Sequence, residues 1–255
     1  MIGVFDSGLG GLAILSQIES RLPGHSFVYL ADQLHAPYGD RSDVTSLTLA
    51  AIDLLIHRFG VETVVLACNT ASAAALDVAR ELHPGVTFVG MEPAVKPAVA
   101  LSSSGVIGIM ATTGTIDAER LDNVIERHAG ATSVIRQACP GLVEIVEGGP
   151  LEAAASLVEN YVQPLVNAGA DVIVLACTHY TLLTDMIQRV AGPDVIILDP
   201  APAVATQVER VAGAVESTHQ PTQFLTTGDP HQLHLQLKEM LGIDVRVATA
   251  VPLDR

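Results

Sequence analysis

Two short segments of the chain repeat each other at a long interval. Leu66–Thr70 reads LACNT and Leu175–His179 reads LACTH, and each segment follows an apolar run. Their cysteines, Cys68 and Cys177, are 109 residues apart, and the proline of an EPAV segment recurs in APAV at the same interval. An internal repeat of this length predicts two related lobes, with a thiol at the matching position of each.

The segments around these repeats alternate short apolar strands with stretches of helical periodicity. Hydrophobic residues make up 49% of the chain and aromatic residues only 4%, so the core must consist mainly of Val, Ile, Leu and Ala, as in parallel sheets covered by helices. We therefore predict an α/β fold with two pseudo-symmetric lobes, largely parallel sheets and the active site in the cleft between the lobes. Residues 1–93 plus 208–255 are predicted to form the first lobe, and residues 94–207 the second.

Both repeated cysteines are predicted to lie where a strand ends and a helix begins. The carboxyl ends of parallel strands meet at one edge of a sheet, where ligands bind, so Cys68 and Cys177 should approach the cleft from opposite sides. A helix N-terminus stabilises a thiolate and lowers the pKa of the thiol. A lone cysteine is more often a small buried core residue, and this is the role we predict for Cys139.

Two thiols on opposite sides of a cleft suit one kind of reaction. A thiolate can remove a proton from one face of a carbon and the opposite thiol can deliver a proton to the other face, since a thiol pKa is near enough to neutral for both roles. This arrangement predicts a racemase or epimerase acting α to a carboxylate. In FDSGLGG, Asp6 and Ser7 suit an ammonium group and a thiol proton, and in APYGDRS, Tyr38 and Gly39 can present a phenol and backbone N–H groups to a carboxylate.

A dinucleotide-binding protein is the strongest competing interpretation. Gly8, Gly10 and Ala13 fit a G-x-G-x-x-A pattern after a strand, and Asp32 follows a little over twenty residues later. Asp6 argues against this interpretation, because its carboxylate would face the pyrophosphate. The glycines are equally compatible with a tight turn from strand to helix.

Metal and redox chemistry fit the pattern less well. Cys177 and His179 are two residues apart and Cys68 can supply a third ligand, but paired C-x-x-C or H-E-x-x-H spacing is missing, so we predict no metal site. A thiol sensor that forms a Cys68–Cys177 disulfide is a further alternative, and it also lacks the C-x-x-C arrangement.

Composition bears on partners and compartment. The chain has 13 Lys and Arg against 28 Asp and Glu, and this net charge of -15 disfavours nucleic acid and anionic membranes as partners. No apolar run reaches the ~20 residues that span a bilayer, and the start MIGVFDSG has no basic signal-peptide region. We predict a cytoplasmic protein with reduced thiols that binds a small molecule, with a homodimer left open.

Seven motifs taken together resemble the glutamate racemases of the aspartate/glutamate racemase superfamily. They occur in chain order and cover nearly the whole sequence, as VFDSGLGG, APYGDRS, LACNTAS, GIMATTGTI, CPGLVEIVEGG, LACTHYTLL and TTGDP. The resemblance implies an enzyme without a cofactor that interconverts L- and D-glutamate and supplies D-glutamate for peptidoglycan. An aspartate racemase of the same superfamily is the alternative within this resemblance.

The resemblance also implies roles for individual residues. Cys68 is the implied base that acts on D-glutamate, and Cys177 the implied base that acts on L-glutamate. The implied substrate site consists of Asp6, Ser7, Tyr38, Gly39, Asn69, Thr70, Thr178 and His179, with Thr112 and Thr115 as further carboxylate contacts. Asp6, Glu147 and His179 match groups implied to assist proton transfer.

The chain departs from the family pattern in two places. Asp117-Ala118-Glu119 stands where the family more often has small residues, and Gln33 and His35 lie in a variable stretch. None of these positions belongs to the DSG, PYG, CNT or CTH motifs. These departures therefore leave the predicted chemistry standing and bear on the local loops.

Overall fold

A computed structural model describes residues 1–39, 41–213 and 220–250 of the 255-residue chain. Residue 40, in the APYGDRS segment, and residues 214–219 and 251–255, in the predicted tail of the first lobe, lie outside the described residues. Within the described ranges, no helix combines the length and the apolar character needed to cross a membrane.

The first lobe is built on a parallel sheet with helices on both faces. Its strands are β1 (Ile2–Asp6), β2 (Phe27–Ala31), β3 (Thr63–Leu66), β4 (Thr87–Gly90), β9 (Gln223–Thr226) and β10 (Val247–Thr249). Their order in the sheet is β10-β9-β2-β1-β3-β4, and every neighbouring pair is parallel. The helices of this lobe are α1 (Gly11–Arg21), α2 (Val44–Phe59), α3 (Asn69–Leu82), α10 (Ala201–Val211) and α11 (Pro230–Leu241).

The second lobe has a smaller sheet of the same kind. Its strands are β5 (Val106–Ala111), β6 (Ser133–Ala138), β7 (Val172–Leu175) and β8 (Ile196–Leu198), ordered β6-β5-β7-β8 and all parallel. Its α-helices are α4 (Val95–Leu101), α5 (Thr113–Ile116), α6 (Glu119–His128), α7 (Leu142–Gly148), α8 (Ala155–Asn167) and α9 (Thr184–Ala191). Two 3-10 helices, Leu151–Ala154 and Thr178–Leu183, precede α8 and α9.

The two sheets share one strand order. The run β2-β1-β3-β4 in the first lobe corresponds to β6-β5-β7-β8 in the second, and β9 and β10 extend the first sheet beyond β2. This arrangement confirms the predicted α/β fold with largely parallel sheets. It also makes β3 and β7 equivalent, and these are the strands that end just before Cys68 and Cys177.

The EPAV and APAV segments mark the two crossings between lobes. Val95 and Ala98 of α4 belong to the apolar core on one face of the second sheet. Val204 and Val208 of α10 belong instead to a core of the first lobe, where α10 packs against α1. The predicted boundary after residue 207 falls within α10, so we propose that the second lobe ends before Ala201.

Local sequence signals explain how the helices begin and end. Helix α2 has Gly60 as its C-cap, with a left-handed φ of 64°. Helices α5 and α6 are separated by a break after Ile116. Thr112 caps α5, because its Oγ1 accepts a hydrogen bond from Thr115 N–H at 3.3 Å. The short α5 thereby keeps both threonines at the sheet edge that faces the first lobe.

Candidate active site

Cys68 and Cys177 occupy equivalent positions in the two lobes. Cys68 follows β3, Cys177 follows β7, and these strands hold the same place in the shared sheet order. Both thiols are buried, with 5% and 6% of the respective residues exposed. The structure therefore brings both predicted bases to the carboxyl ends of parallel strands, where an α/β fold binds its ligands.

Burial and a neighbouring charge determine the acidity of the Cys68 thiol. Cys68 is the N-cap of α3, and its Sγ accepts a hydrogen bond from Ala71 N–H at 3.5 Å. Burial nevertheless raises the pKa of Cys68 to about 12; the charge of Asp6 adds to this rise, while hydrogen bonds with Ala71 and Ser7 offset part of it. The helix N-terminus lowers this pKa through Ala71 N–H, as expected, but desolvation and the charge of Asp6 outweigh it, so the net shift of the pKa is upward.

Cys177 has a different local setting. The segment that follows it is a 3-10 helix, and the Cys177 side chain accepts no capping hydrogen bond from that helix. Its Sγ lies 3.9 Å from His179 Nδ1. The predicted α-helix start is thus present at Cys68 only, and an imidazole supplies the polar contact at Cys177.

His179 and Glu147 form a buried ion pair beside Cys177. His179 Nε2 lies 2.5 Å from Glu147 Oε1. Burial alone would lower the pKa of His179, but hydrogen bonds with Cys177 and Glu147 raise it well above 6.5. Burial alone would raise the pKa of Glu147, but the hydrogen bond and charge of His179 bring it below 4.5. The ion pair therefore favours the protonated imidazole, which can donate from Nδ1 to a Cys177 thiolate.

Asp6, at the end of β1, joins the two lobes. The residue is fully buried, its Oδ2 accepts a hydrogen bond from Gly8 N–H at 3.0 Å, and its Oδ1 accepts one from the Thr178 hydroxyl at 3.3 Å. Burial raises the pKa of Asp6, and the nearby positive charge of His179 offsets part of the rise. Among the residues that the structure describes, no cation lies within hydrogen-bond reach of this buried carboxylate, which therefore suits the ammonium group of an amino acid.

The glycines after β1 make room for the second lobe. A Cβ at Gly8 would lie 1.8 Å from Glu147 Oε1, and a Cβ at Gly10 would lie 2.4 Å from Thr178 Oγ1. Leu9 N–H, one of the donors that a phosphate would need, donates to Glu147 Oε1 at 2.6 Å. The structure therefore contradicts the dinucleotide interpretation, because protein atoms of the opposite lobe fill the position of the pyrophosphate.

Asp32, the supposed ribose-binding acid, has a structural role instead. It is fully buried and accepts hydrogen bonds from the Tyr38 hydroxyl at 2.5 Å and from the Thr227 hydroxyl at 2.6 Å, while His35 Nδ1 lies 2.8 Å away. Burial and the charge of Asp32 raise the pKa of Tyr38 far above its usual 10. The phenol proton of Tyr38 is thus donated to Asp32. The sequence signal for the structural role of Asp32 is an acid directly after β2, just as Asp6 stands at the end of β1.

A cluster of hydroxyl groups closes the cleft on the side of α3. Thr70 Oγ1 lies 3.1 Å from Thr112 Oγ1 and 3.2 Å from Thr115 Oγ1, and those two hydroxyl oxygens are 3.1 Å apart. The side-chain amide of Asn69 is buried, with 4% of the residue exposed, yet neither its oxygen nor its nitrogen has a hydrogen-bond partner in the described part of the chain. An unpaired buried amide is costly unless a ligand completes it.

The backbone of the Tyr38–Gly39 turn reaches across the cleft. Gly114 N–H of α5 donates to the Gly39 carbonyl at 2.8 Å, and a Cβ at Gly39 would lie 2.9 Å from Thr112 Cβ. Gly39 therefore permits the two lobes to meet here. All eight residues predicted to form the substrate site are buried. They lie at the end of β1 (Asp6, Ser7), after β2 (Tyr38, Gly39), at the start of α3 (Asn69, Thr70) and after β7 (Thr178, His179).

Cys139 lies in the second lobe as a core residue. Its Sγ donates to the Gln137 carbonyl at 3.3 Å and its own carbonyl accepts from the Tyr180 hydroxyl at 3.1 Å. All three cysteines are unpaired. Across the described ranges, no cluster of three or more His, Cys, Asp or Glu side chains has the arrangement of a metal site.

Known proteins are similar to this chain over most of its length. Residues 13–208 match the protein family described as Asp/Glu/Hydantoin racemase. A glutamate racemase from Herpetosiphon aurantiacus is 46% identical over 238 residues, which cover 90% of this chain and 93% of that protein. The chain belongs to the glutamate racemase family. A second family member, from Pseudomonas putida, is 44% identical over 239 residues.

Solved structures of the glutamate racemase family have the same fold. Isoform RacE1 from Bacillus anthracis superposes with a TM-score of 0.89 at 31% identity, covering 99% of this chain and 98% of that chain. The Escherichia coli glutamate racemase, solved in complex with L-glutamate and the activator UDP-MurNAc-Ala, superposes with a TM-score of 0.86 at 25% identity over 97% of this chain. An aspartate racemase from Picrophilus torridus, at 14% identity and a TM-score of 0.54, shares the fold alone.

Proposed function

We propose that this member of the glutamate racemase family interconverts L- and D-glutamate with two thiols and no cofactor. The observation that carries the proposal is the pair of buried cysteines at the ends of the equivalent strands β3 and β7, one from each lobe. A racemase must deprotonate either enantiomer and deliver a proton to the opposite face. Thiols on opposite lobes can serve both faces of one carbon, and the near-equivalence of the lobes supplies this geometry.

The polar groups of the cleft suit the substrate. The Asp6 carboxylate suits the α-ammonium group, and the unpaired amide of Asn69 suits a carboxylate. The hydroxyls of Thr70, Thr112 and Thr115 can turn their protons toward the second carboxylate. These local donors offset the repulsion between an anionic substrate and a chain of net charge -15.

Proton transfer in the L-to-D direction begins at Cys177. The Cys177 thiolate takes the α-proton of L-glutamate and becomes a thiol. The electron pair of the broken Cα–H bond stays on the α-carbon and the α-carboxylate. The protonated His179, 3.9 Å from Cys177 Sγ, stabilises that thiolate before the transfer. Cys68, whose pKa of about 12 keeps it a thiol at neutral pH, then donates a proton to the other face.

The reverse reaction requires a Cys68 thiolate, and the substrate supplies part of the stabilisation. After burial itself, the Asp6 charge is the largest cause of the raised pKa of Cys68. An α-ammonium group against Asp6 neutralises that charge and brings a cation near Cys68, so substrate binding lowers the pKa of Cys68.

Racemisation without additives tests the proposal directly. The purified protein, incubated with L-glutamate and no cofactor, should lose its circular-dichroism signal as the two enantiomers approach equal amounts. The same incubation with L-aspartate tests the alternative substrate. Activity that appears only after pyridoxal phosphate is added, or activity on aspartate but not on glutamate, would contradict the proposal.

We further propose the cytoplasm as the compartment and peptidoglycan synthesis as the use of D-glutamate. Support for the compartment comes from the three unpaired cysteines, since two of them must stay reduced to act. A homodimer remains part of this proposal, and sedimentation of the purified protein tests it.

A further inference from the structure

Gln33 stands in one of the two places where the chain departs from its family, and its side chain lies at the interface of the lobes. It follows β2 by two residues. Gln33 Nε2 donates to Glu147 Oε2 of the second lobe at 3.0 Å. The same Nε2 lies 3.0 Å from Gln236 Oε1 on α11, and Gln236 Nε2 donates to the Glu147 carbonyl at 2.7 Å. The side-chain amides of Gln33 and Gln236, both in the first lobe, thus each donate a hydrogen bond to Glu147 of the second lobe.

The orientation of the Gln33 amide is determined by the hydrogen bond that its oxygen accepts. Gly228 N–H donates to Thr226 Oγ1 at 3.0 Å, so the hydroxyl proton of Thr226 is free to point elsewhere. Thr226 Oγ1 donates that proton to Gln33 Oε1 at 3.0 Å. The amide oxygen therefore faces Thr226, and the amide nitrogen must face the Glu147 carboxylate.

Glu147 connects this contact to the proposed chemistry. Its Oε1 receives Leu9 N–H at 2.6 Å and His179 Nε2 at 2.5 Å, whereas its Oε2 is held by Gln33. His179 Nδ1 in turn lies 3.9 Å from Cys177 Sγ. A continuous series of polar contacts thus runs from Gln33 through Glu147 and His179 to the Cys177 thiol. Within the described residues, a branch from His179 through Thr178 ends at Asp6, and no hydrogen bond of this network reaches Cys68 Sγ.

We propose that Gln33 is a positioning residue for proton transfer at Cys177, which holds the Glu147 carboxylate in line with His179 from the opposite lobe. The inference rests on the proposed two-thiol racemisation. Without the amide, the Glu147 carboxylate can rotate away from His179, and the imidazolium loses the partner that orients it. The step at Cys177 then slows, and the step at Cys68 does not.

Deuterium at the α-carbon separates the two steps. In the proposed mechanism the Cα–²H bond breaks and its deuteron passes to the attacking thiolate, while the opposite thiol supplies a solvent-derived proton. With 2-²H-L-glutamate the labelled transfer occurs at Cys177, and with 2-²H-D-glutamate it occurs at Cys68. Slowing the Cys177 step therefore raises the isotope effect on kcat/KM for L-glutamate and lowers it toward unity for D-glutamate.

Gln33→Leu is the test variant, because it removes the amide at similar volume. We expect kcat/KM to fall roughly 10-fold, as for other residues that orient a histidine through its carboxylate partner. The fall must be equal in both directions, since the equilibrium constant of racemisation is unity. The isotope effects should change in opposite directions. Gln163→Leu is the matched control, because this exposed amide of α8 donates to Asn167 Oδ1 at 3.0 Å, and the variant should behave as the unmodified protein.

Two further variants decide whether Gln33 acts through Glu147. Gln33→Asn keeps an amide but is one methylene too short for the contact, so it should show the same asymmetry even if Gln33→Leu folds poorly. In a Glu147→Gln background, Gln33→Leu should have little further effect, because the two residues act in series. Parallel changes in the two isotope effects, an unchanged kcat/KM, or additive losses in the double variant would overturn the proposal. Failure of the proposed function looks different, since the unmodified protein and Gln163→Leu would then also be inactive.

Discussion

Gly10→Ala tests whether the closed contact between the lobes is the geometry in which the thiols work. The new Cβ would lie 2.4 Å from Thr178 Oγ1 and 2.6 Å from the backbone nitrogen of His179. Because non-bonded heavy atoms are comfortable at about 3.5 Å, the segment after Cys177 has to withdraw from the first lobe by roughly 1 Å. The obstacle includes backbone, so a side-chain rotation cannot relieve it.

The size of the effect follows from that displacement. A misplacement of about 1 Å in a site that depends on orientation costs about 10²-fold in rate, which is about 2.7 kcal/mol of transition-state stabilisation. Overpacking also costs about 1–3 kcal/mol of folding free energy. We therefore expect Gly10→Ala to fold, to unfold at a lower urea concentration and to lose about two orders of magnitude in kcat/KM with L-glutamate.

Circular dichroism measures both quantities, racemisation from the substrate signal and unfolding from the backbone signal. Gly85→Ala is the matched control, because a Cβ at Gly85 meets no atom within 4 Å. It should leave kcat/KM and the urea midpoint almost unchanged. A Gly10→Ala protein that keeps kcat/KM within a factor of two of the unmodified chain would refute the idea that this close contact sets the position of Cys177.

Three further predictions follow from the charges and hydrogen bonds of the site. Asp6→Asn should lower the pKa of Cys68 from about 12, so the rate at which iodoacetamide alkylates Cys68 at pH 8, read by mass spectrometry, should rise; an unchanged rate would contradict the role of Asp6. Asn69→Ala should raise KM by roughly 10-fold, the loss of one hydrogen bond to a charged group, and leave the urea midpoint unchanged because the amide is unpaired in the protein itself; an unchanged KM would argue against it. The Glu147–His179 pair should contribute most to the free energy of unfolding between about pH 4.5 and pH 6.5. This contribution falls as the pH drops from 4.5 through the lowered pKa of Glu147. It also falls as the pH rises from 6.5 through the raised pKa of His179. When the free energy of unfolding is measured with urea at a series of pH values, both declines should be weaker in Glu147→Gln than in the unmodified protein. The same pH dependence in both proteins would disprove the linkage.

The fold was predictable because its signals are local and repeated. Apolar runs that end in LAC, the 109-residue interval and the shift between strand and helix periodicity predict two parallel α/β sheets, and the shared strand order confirms them. The lobe against which α10 packs was harder to predict. Its apolar face suits either lobe, and only the packing of Val204 and Val208 against α1 assigns it to the first.

The sequence indicated which residues lie together in the cleft but not how they are protonated. A sequence places Cys68 at a helix start, and this feature alone favours a thiolate. The opposing factors are the burial of Cys68 in the core of the first lobe and the charge of Asp6 at the end of the neighbouring strand β1, and both depend on which strands lie side by side, which no local pattern encodes. The fingerprint at Gly8 and Gly10 misleads for the same reason, since its glycines serve a contact with Glu147 and Thr178 that lie far away in the chain.

The central claim is that each thiol serves one face of the substrate, and single-thiol variants in deuterium oxide test it most directly. Cys177→Ala and Cys68→Ala should each lose racemisation by about 10²–10⁴-fold, the contribution of a general acid-base group. Residual deuterium incorporation at the α-carbon, measured by NMR, should appear with retention in D-glutamate for Cys177→Ala and in L-glutamate for Cys68→Ala. Cys139→Ala, the control thiol, should racemise as the unmodified chain does. If either Cys68→Ala or Cys177→Ala still racemises glutamate at nearly the unmodified rate, that cysteine is a core residue and the two-base mechanism is wrong.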